Sequence, residues 1–225
     1  MPVYYNKQSL YKEITKIKNY LGFDEKDFNI DLVKELGTKD IILEKLPYKT
    51  KGLRGMAVLG NDNSKDIIIL NSSRNKIEQN YDCGHEYVHL SLHRSVGGNS
   101  FNCFDNIAER QNPIYEWHAN EGAAEMFVPY KVLLPILYKY RKYLNDFDGI
   151  TSLTKYLSGM FFVPEAVIKY RFENLKYEIS QYLSGTRLND LDILSLNQQK
   201  RRGICVKSLN DICYDDFVNT ILANF

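Results

Sequence analysis

"YDCGHEYVHLSLH", residues 81–93, carries three of the chain's four histidines. His85, Glu86 and His89 spell H-E-x-x-H. On a helix, residues four apart lie about 40° apart around the axis and about 6 Å along it. Two imidazoles so placed converge on one metal ion. Glu86, next in sequence, projects to the side of the pair and reaches a water there without ligating the metal. Metal-assisted peptide hydrolysis requires this arrangement. Glu86 is therefore the candidate general base, and His85 and His89 are candidate ligands. His93 is eight residues from His85, about 12 Å along the axis, too far to share the ion. It is expected near the helix end as an imidazolium suited to the dipole. Asp82 is the candidate N-cap. Position 95 is serine and Leu92 stands where a metzincin needs glycine, so that class is excluded.

A catalytic zinc takes three protein ligands and keeps one position open. "NPIYEWHANEGAAEMFVP" (112–129) offers Glu116, His118, Glu121 and Glu125. At 100° per residue, His118 stands about 200° from Glu116, so only one of them faces the metal. Glu125 and Glu121 are opposed to Glu116 by about 180° and 140°. Asn120 shares the Glu116 face and supplies the oxygen that a ligating histidine's second nitrogen needs. Glu116 is therefore favoured over His118 as third ligand, with Asn120 behind a histidine. Ala123 and Phe127 continue the face.

Outward from these motifs, "SLYKEITKIKNYL" (9–21) spaces Leu10, Ile14, Ile17 and Leu21 as an amphipathic helix. "NIDLVKELG" (29–37) is a second, with Asp31 near its start and Gly37 as its stop. Strands are expected at 40–46, 54–60 and 66–72, the last two as an antiparallel hairpin across "GNDNSKD". "VGGNSFNCFDN" (96–106) reads as a loop. Further helices are expected at about 113–127, at 131–144, and as a pair over 148–183 broken near Gly159 to Pro164. The fold class is α+β: a small antiparallel three-stranded sheet on a mainly helical zincin-like core, with a helical C-terminal region. Residues 1–145 form the metallopeptidase domain, 146–185 a helix-turn-helix-like segment and 186–225 an extension without assigned role.

The chain has 225 residues, 44% hydrophobic and 25% charged, with net charge +1. No global field draws it to nucleic acid or an acidic membrane. "MPVYYNKQSLYKEITK" lacks the apolar stretch of a signal peptide, and no run approaches the roughly 18 apolar residues of a membrane span. A cytoplasmic protein is expected. Cys83, Cys103, Cys205 and Cys213 form no C-x-x-C pair and are expected as thiols. A Cys205–Cys213 metal site has little support.

The two motifs resemble the ImmA/IrrE family of zinc metallopeptidases. That family's pattern is roughly T-x-A-H-E-x-G-H-x-x-x-H, then E-x-x-A-N-x-x-A-A-x-x-L-M-P. The resemblance implies one zinc held by His85, His89 and Glu116, Glu86 as general base and Asn120 behind a ligand. Asp82 stands where the family often has threonine. Ala119, Asn120, Ala123, Ala124 and Pro129 fall in place. Val88 replaces a usual glycine, Gly84 a usual alanine and Gly122 a common bulky residue. The resemblance covers about 28–180. It implies a cytoplasmic endopeptidase that cleaves a helix-turn-helix repressor to derepress a mobile element, phage or stress regulon.

An oxyanion needs a further donor, for which Tyr115, Arg110 and Tyr130 are candidates. A hairpin edge, 54–60 or 66–72, is expected to take substrate as an added strand. Rival readings are a DNA-binding regulator with an idle peptidase fold, using Lys169 and Arg171 on phosphate, or a protein-binding component of a toxin–antitoxin or phage module. Glu165 and Glu173 offset the basic residues of that segment, so no tight sequence-specific DNA binding is expected.

Overall fold

Leu10, Ile14 and Leu21 are buried along one stripe of α1 (Lys7–Leu21), as their spacing requires. This is seen in a computed structural model, which describes residues 4–61, 64–95, 100–104 and 111–211. The chain divides into two units, Met1–Tyr5 with Ser9–Phe127, and Asn6–Gln8 with Val128–Phe225. In the first unit α2 (Leu32–Leu36) follows. Asp31 caps it by accepting from the Lys34 N–H at 3.0 Å.

The sheet contains β1 (Ile41–Leu46), β2 (Leu53–Val58), β3 (Asp66–Asn71) and β4 (Ser100–Phe104), in the order β1-β3-β2-β4. The class is α+β, but the sheet is four-stranded and mixed. β2 and β3 form the expected antiparallel pair, with Gly55 opposite Leu70 and Ala57 opposite Ile68. β1 runs parallel to β3, with Ile41 opposite Asp66 and Leu46 opposite Asn71. β4 lies within the stretch read as a loop. It pairs antiparallel to β2, with Cys103 opposite Gly55 and Phe101 opposite Ala57. Its glycine- and asparagine-rich flanks hide it; pairing, not local propensity, makes it a strand.

This order corrects the substrate-edge expectation. β2 lies between β3 and β4, and β3 between β1 and β2, so neither 54–60 nor 66–72 is an edge. The sheet ends, among the described residues, at β1 and β4.

α3 (Lys76–Leu92) crosses the sheet and packs on β2, β3 and β4, and against α4 (Pro113–Phe127). Its start is six residues before Asp82. Asn75 caps it in a capping box, taking the Glu78 N–H while the Glu78 carboxylate takes the Asn75 N–H. Asp82 is instead a buried anion inside the helix, paired with Arg54 at 2.5 Å and Arg74 at 2.6 Å. A register shift between Leu53 and Gly55 falls at Arg54, beside this ion pair.

Every residue from Gln79 to Leu90 is buried, so each polar group on α3 needs a partner. Asn80 takes the Leu32 N–H at 2.8 Å and donates to the Ile30 carbonyl at 2.7 Å, tying α2 to α3. The α3–α4 contact is close. A Cβ on Gly84 would lie 2.4 Å from the Phe127 ring. One on Gly122 would lie 3.2 Å from Val88 and 2.9 Å from Ile14.

The second unit holds α5 (Tyr130–Lys139), a 3-10 turn at Arg141–Tyr143, α6 (Phe147–Phe161), α7 (Glu165–Asn174), α8 (Lys176–Leu183), a second 3-10 turn at Leu188–Asp190 and α9 (Leu196–Arg201). Phe162 adopts the left-handed conformation at φ 56° and ends α6, and Pro164 precedes α7. The expected break thus occurs. A second break, at Leu175, makes three helices where two were read. No proline or glycine marks it, and the apolar spacing Val167, Ile168, Phe172, Leu175, Ile179 runs through it. Lys7 belongs to this unit, its ammonium buried on the Glu178 carboxylate at 2.8 Å and the Asn174 and Leu194 carbonyls. Among the described residues no helix is long and apolar enough to cross a membrane.

Candidate metal centre

α3 and α4 carry the motif residues to one place. His85 and His89 present Nε2 atoms 3.1 Å apart. Glu116, from the first turn of α4, sets Oε2 at 3.4 Å from His85 Nε2 and Oε1 at 3.4 Å from His89 Nε2. Bonds of about 2.0–2.1 Å at tetrahedral angles hold donor atoms about 3.3–3.4 Å apart. The three donors therefore have the spacing one small tetrahedral ion needs, with a fourth position left over. Asn120, one turn beyond Glu116, places Oδ1 at 3.1 Å from His85 Nδ1. An amide oxygen only accepts, so His85 carries its proton on Nδ1 and leaves Nε2 bare.

The protonation of the set suits a cation. Burial lowers His89 to about 4, so the ring is neutral at pH 7. Burial raises Glu116, but the His85 and His89 rings outweigh it and hold the carboxyl at about 2. Glu86 differs. Burial drives its carboxyl well above the ordinary range, and the Glu116 and Asp82 charges add to this. No side chain among the described residues hydrogen-bonds either oxygen, and the Cys103 backbone, which lowers the rise, is too far or too poorly aligned to make a full bond. A fully buried carboxylate so poorly satisfied calls for water or an ion. Gly55 makes room for it: a Cβ there would stand 3.0 Å from Glu86 Oε1. Cys103, opposite Gly55 on β4, brings its sulfur within 4.8 Å of donor atoms of His85 and Glu86. Burial pushes that thiol well up.

The other candidates on α4 are engaged elsewhere. Tyr11 donates to Glu121 at 2.5 Å. The charge of Glu125 is felt by Lys18 on α1. His118 Nδ1 lies 3.1 Å from His93 Nε2, and His118 Nε2 takes the Tyr5 N–H at 3.3 Å. His93 is fully buried at the end of α3, with Nδ1 2.9 Å from His89 Nδ1. The imidazolium expected at His93 is thus overturned: burial lowers it to about 3, and His118 to about 4. The dipole at the helix end favours the cation, but burial outweighs it. Phe101 stacks on the His89 ring at 4.6 Å, and Tyr115 lies on His93 at 4.7 Å. Of the oxyanion candidates, Tyr115 borders this cluster, Tyr130 belongs to the second unit, and Arg110 lies outside the described residues. Cys83 and Cys103 are buried free thiols and Cys205 an exposed one; Cys213 lies outside the described residues.

Sequence reading missed Gly55, Phe101, Cys103 and the partners of His93. The i, i+4 repeat of His85, His89 and His93 was the one available signal. It shows that the three rings share a face, though not that the third is buried.

Two imidazoles and a carboxylate at metal-ligand spacing, beside a buried glutamate, define the site class of a metallopeptidase. The model of the M78 peptidases, described as the IrrE N-terminal-like domain, matches residues 33–180, and the chain belongs to this family of ImmA/IrrE type. A comparison with curated proteins found no match. Val88 and Gly122, two positions where the chain departs from the family pattern, face each other across the α3–α4 contact.

Proposed function

We propose that the protein is a zinc-dependent endopeptidase with His85, His89 and Glu116 as ligands, Asn120 orienting His85, and Glu86 as general base. The observation that carries this reading is the 3.1, 3.4 and 3.4 Å donor triangle. Bound zinc supplies a water acidic enough to react near neutral pH and polarises the scissile carbonyl. Glu86 takes a proton from the attacking water and delivers it to the leaving amine. The raised proton affinity of Glu86 strengthens it as the base of the first transfer, and a cation beside it favours the charged form that accepts the proton. The oxyanion donor is sought among Tyr115, Arg110 and Tyr130.

A peptidase domain acts on protein. β4 ends the sheet beside α3, so an extended substrate segment is read as a strand added to β4. The proposed substrate is a helix-turn-helix repressor of a mobile element, phage or stress regulon, in the cytoplasm, by family resemblance. We retain the assignment of 1–145 as peptidase domain, 146–185 as helix-turn-helix-like segment and 186–225 as extension as a proposal about function. The rival DNA-reader reading loses one of its two contacts, because Arg171 is fully buried.

The test pairs metal content with cleavage. Glu86→Gln should keep one zinc per chain and abolish cleavage of a co-expressed repressor. Cleavage at the wild-type rate by Glu86→Gln refutes the mechanism.

A further inference from the structure

All four histidines of the chain form one unbroken row of nitrogen contacts. His85 Nε2 meets His89 Nε2 at 3.1 Å, and His89 Nδ1 meets His93 Nδ1 at 2.9 Å. His93 Nε2 meets His118 Nδ1 at 3.1 Å, and His118 Nε2 meets the Tyr5 N–H at 3.3 Å. The Tyr5 ring also stands edge-on to His118, 5.4 Å between centroids. The rings are buried, and Phe101 and Tyr115 cover the middle of the row.

Each N···N contact holds one proton, and a neutral imidazole carries one. The direction of the row is therefore fixed by its ends. At the outer end the Tyr5 N–H requires a bare Nε2 on His118. That puts the His118 proton on Nδ1, aimed at His93. His93 must then carry its proton on Nδ1, aimed at His89. At the inner end, a metal on His89 Nε2 requires the His89 proton on Nδ1, aimed back at His93. Two N–H groups then face one another at 2.9 Å. Extra protons worsen the conflict. The row satisfies the metal only by reversing, which puts the His118 proton on Nε2, against the Tyr5 N–H.

We propose that ligation at His89 and the His118–Tyr5 hydrogen bond exclude each other, so that the row couples the metal centre to the amino-terminal segment. His93 and His118 are positioning residues: they act through His89 and touch no reacting atom. Metal uptake reverses the row and releases the backbone at Tyr5. By reciprocity, a segment held at Tyr5 weakens metal binding by the same factor. A partner that lifts this segment away thus raises metal affinity. The inference rests on the proposed role of His89 as a ligand.

Tyr5→Pro removes the backbone donor together with the ring and fixes φ, while Tyr5→Ala removes the ring and keeps the N–H. Zinc affinity is measured by chelator competition on the full chain. We expect Tyr5→Pro to bind about two- to ten-fold tighter than both wild type and Tyr5→Ala, the range one neutral hydrogen bond gives. Equal affinity in Tyr5→Pro overturns the coupling. In parallel, 15N-histidine spectra read the tautomers. One equivalent of zinc should move the His118 proton from Nδ1 to Nε2 and speed exchange of the Tyr5 amide. Retention on Nδ1 in the loaded protein overturns the reversal. Zinc bound with full affinity by His89→Ala would instead refute the ligand assignment itself.

Discussion

Gly55 of β2 and Glu86 of α3 stand so close that a single methyl on the glycine would meet the carboxylate oxygen at 3.0 Å. The strand thus sets where the proposed base is held. Gly55→Ala should leave the fold and zinc content intact, since alanine suits a strand at least as well. It should lower kcat roughly ten- to hundred-fold by displacing Glu86 a few tenths of an ångström or more. Wild-type turnover in Gly55→Ala would show that the contact does not position the carboxylate.

The ligand set gives a sharp contrast between neighbours on α4. His89→Ala and Glu116→Ala should each lose the zinc, measured by mass spectrometry on chelator-free protein. His118→Ala should retain one zinc per chain, because the ring reaches His89 only through His93. Loss in His118→Ala with retention in Glu116→Ala would reverse the assignment.

Lys18 predicts an alkaline effect on stability. Its ammonium is buried on the Glu25 and Asp27 carbonyls at 2.9 and 2.6 Å. Burial lowers it from 10.5 to about 8, against the pull of Glu125 and nearby acids. Between those values the unfolded chain holds a proton that the folded protein has released, so this group makes stability rise with pH across the window. Urea midpoints of wild type against Lys18→Met should diverge in that direction from about 8 to 10.5. Parallel profiles would show that Lys18 is not depressed.

DNA binding is expected to be weak. The net charge is +1 and Arg171 is buried, so little of the phosphate term remains. "QQKRRG" (198–203) gives only salt-sensitive contacts. A fluorescence titration at physiological salt decides it: nanomolar, sequence-dependent binding that survives Glu86→Gln would promote the regulator reading.

The centre of the site was legible because helical geometry is rigid. Spacing alone put His85 beside His89, Glu116 with Asn120, and His118 on another face. What spacing does not encode is what faces a helix. Asp82 has the chemistry of a cap, yet Arg54 and Arg74 claim it from elsewhere in the chain. The true cap, Asn75 with Glu78, has the same kind of signature seven residues earlier. β4 and the parallel pairing of β1 were missed for a related reason. A strand's partner is chosen by long-range contacts, and β1 passes over β2, its successor in the chain, to pair with β3. The burial of His93 depends on α4, Phe101 and Tyr115 closing over it.

The Lys7–Glu178 bridge joins residues 171 positions apart, both fully buried. Removing either partner strands a charge in the interior, at about 3–5 kcal/mol. Synthesis imposes the same deprivation on every new chain. At about 5–20 residues per second, Lys7 leaves the ribosome roughly 10–30 s before its counter-charge is made. Glu178 also takes the Leu194 N–H at 2.9 Å, so the seat is unfinished until still later. The second unit cannot close from its later segment alone; its last step joins a residue translated among the first to ones translated near the end.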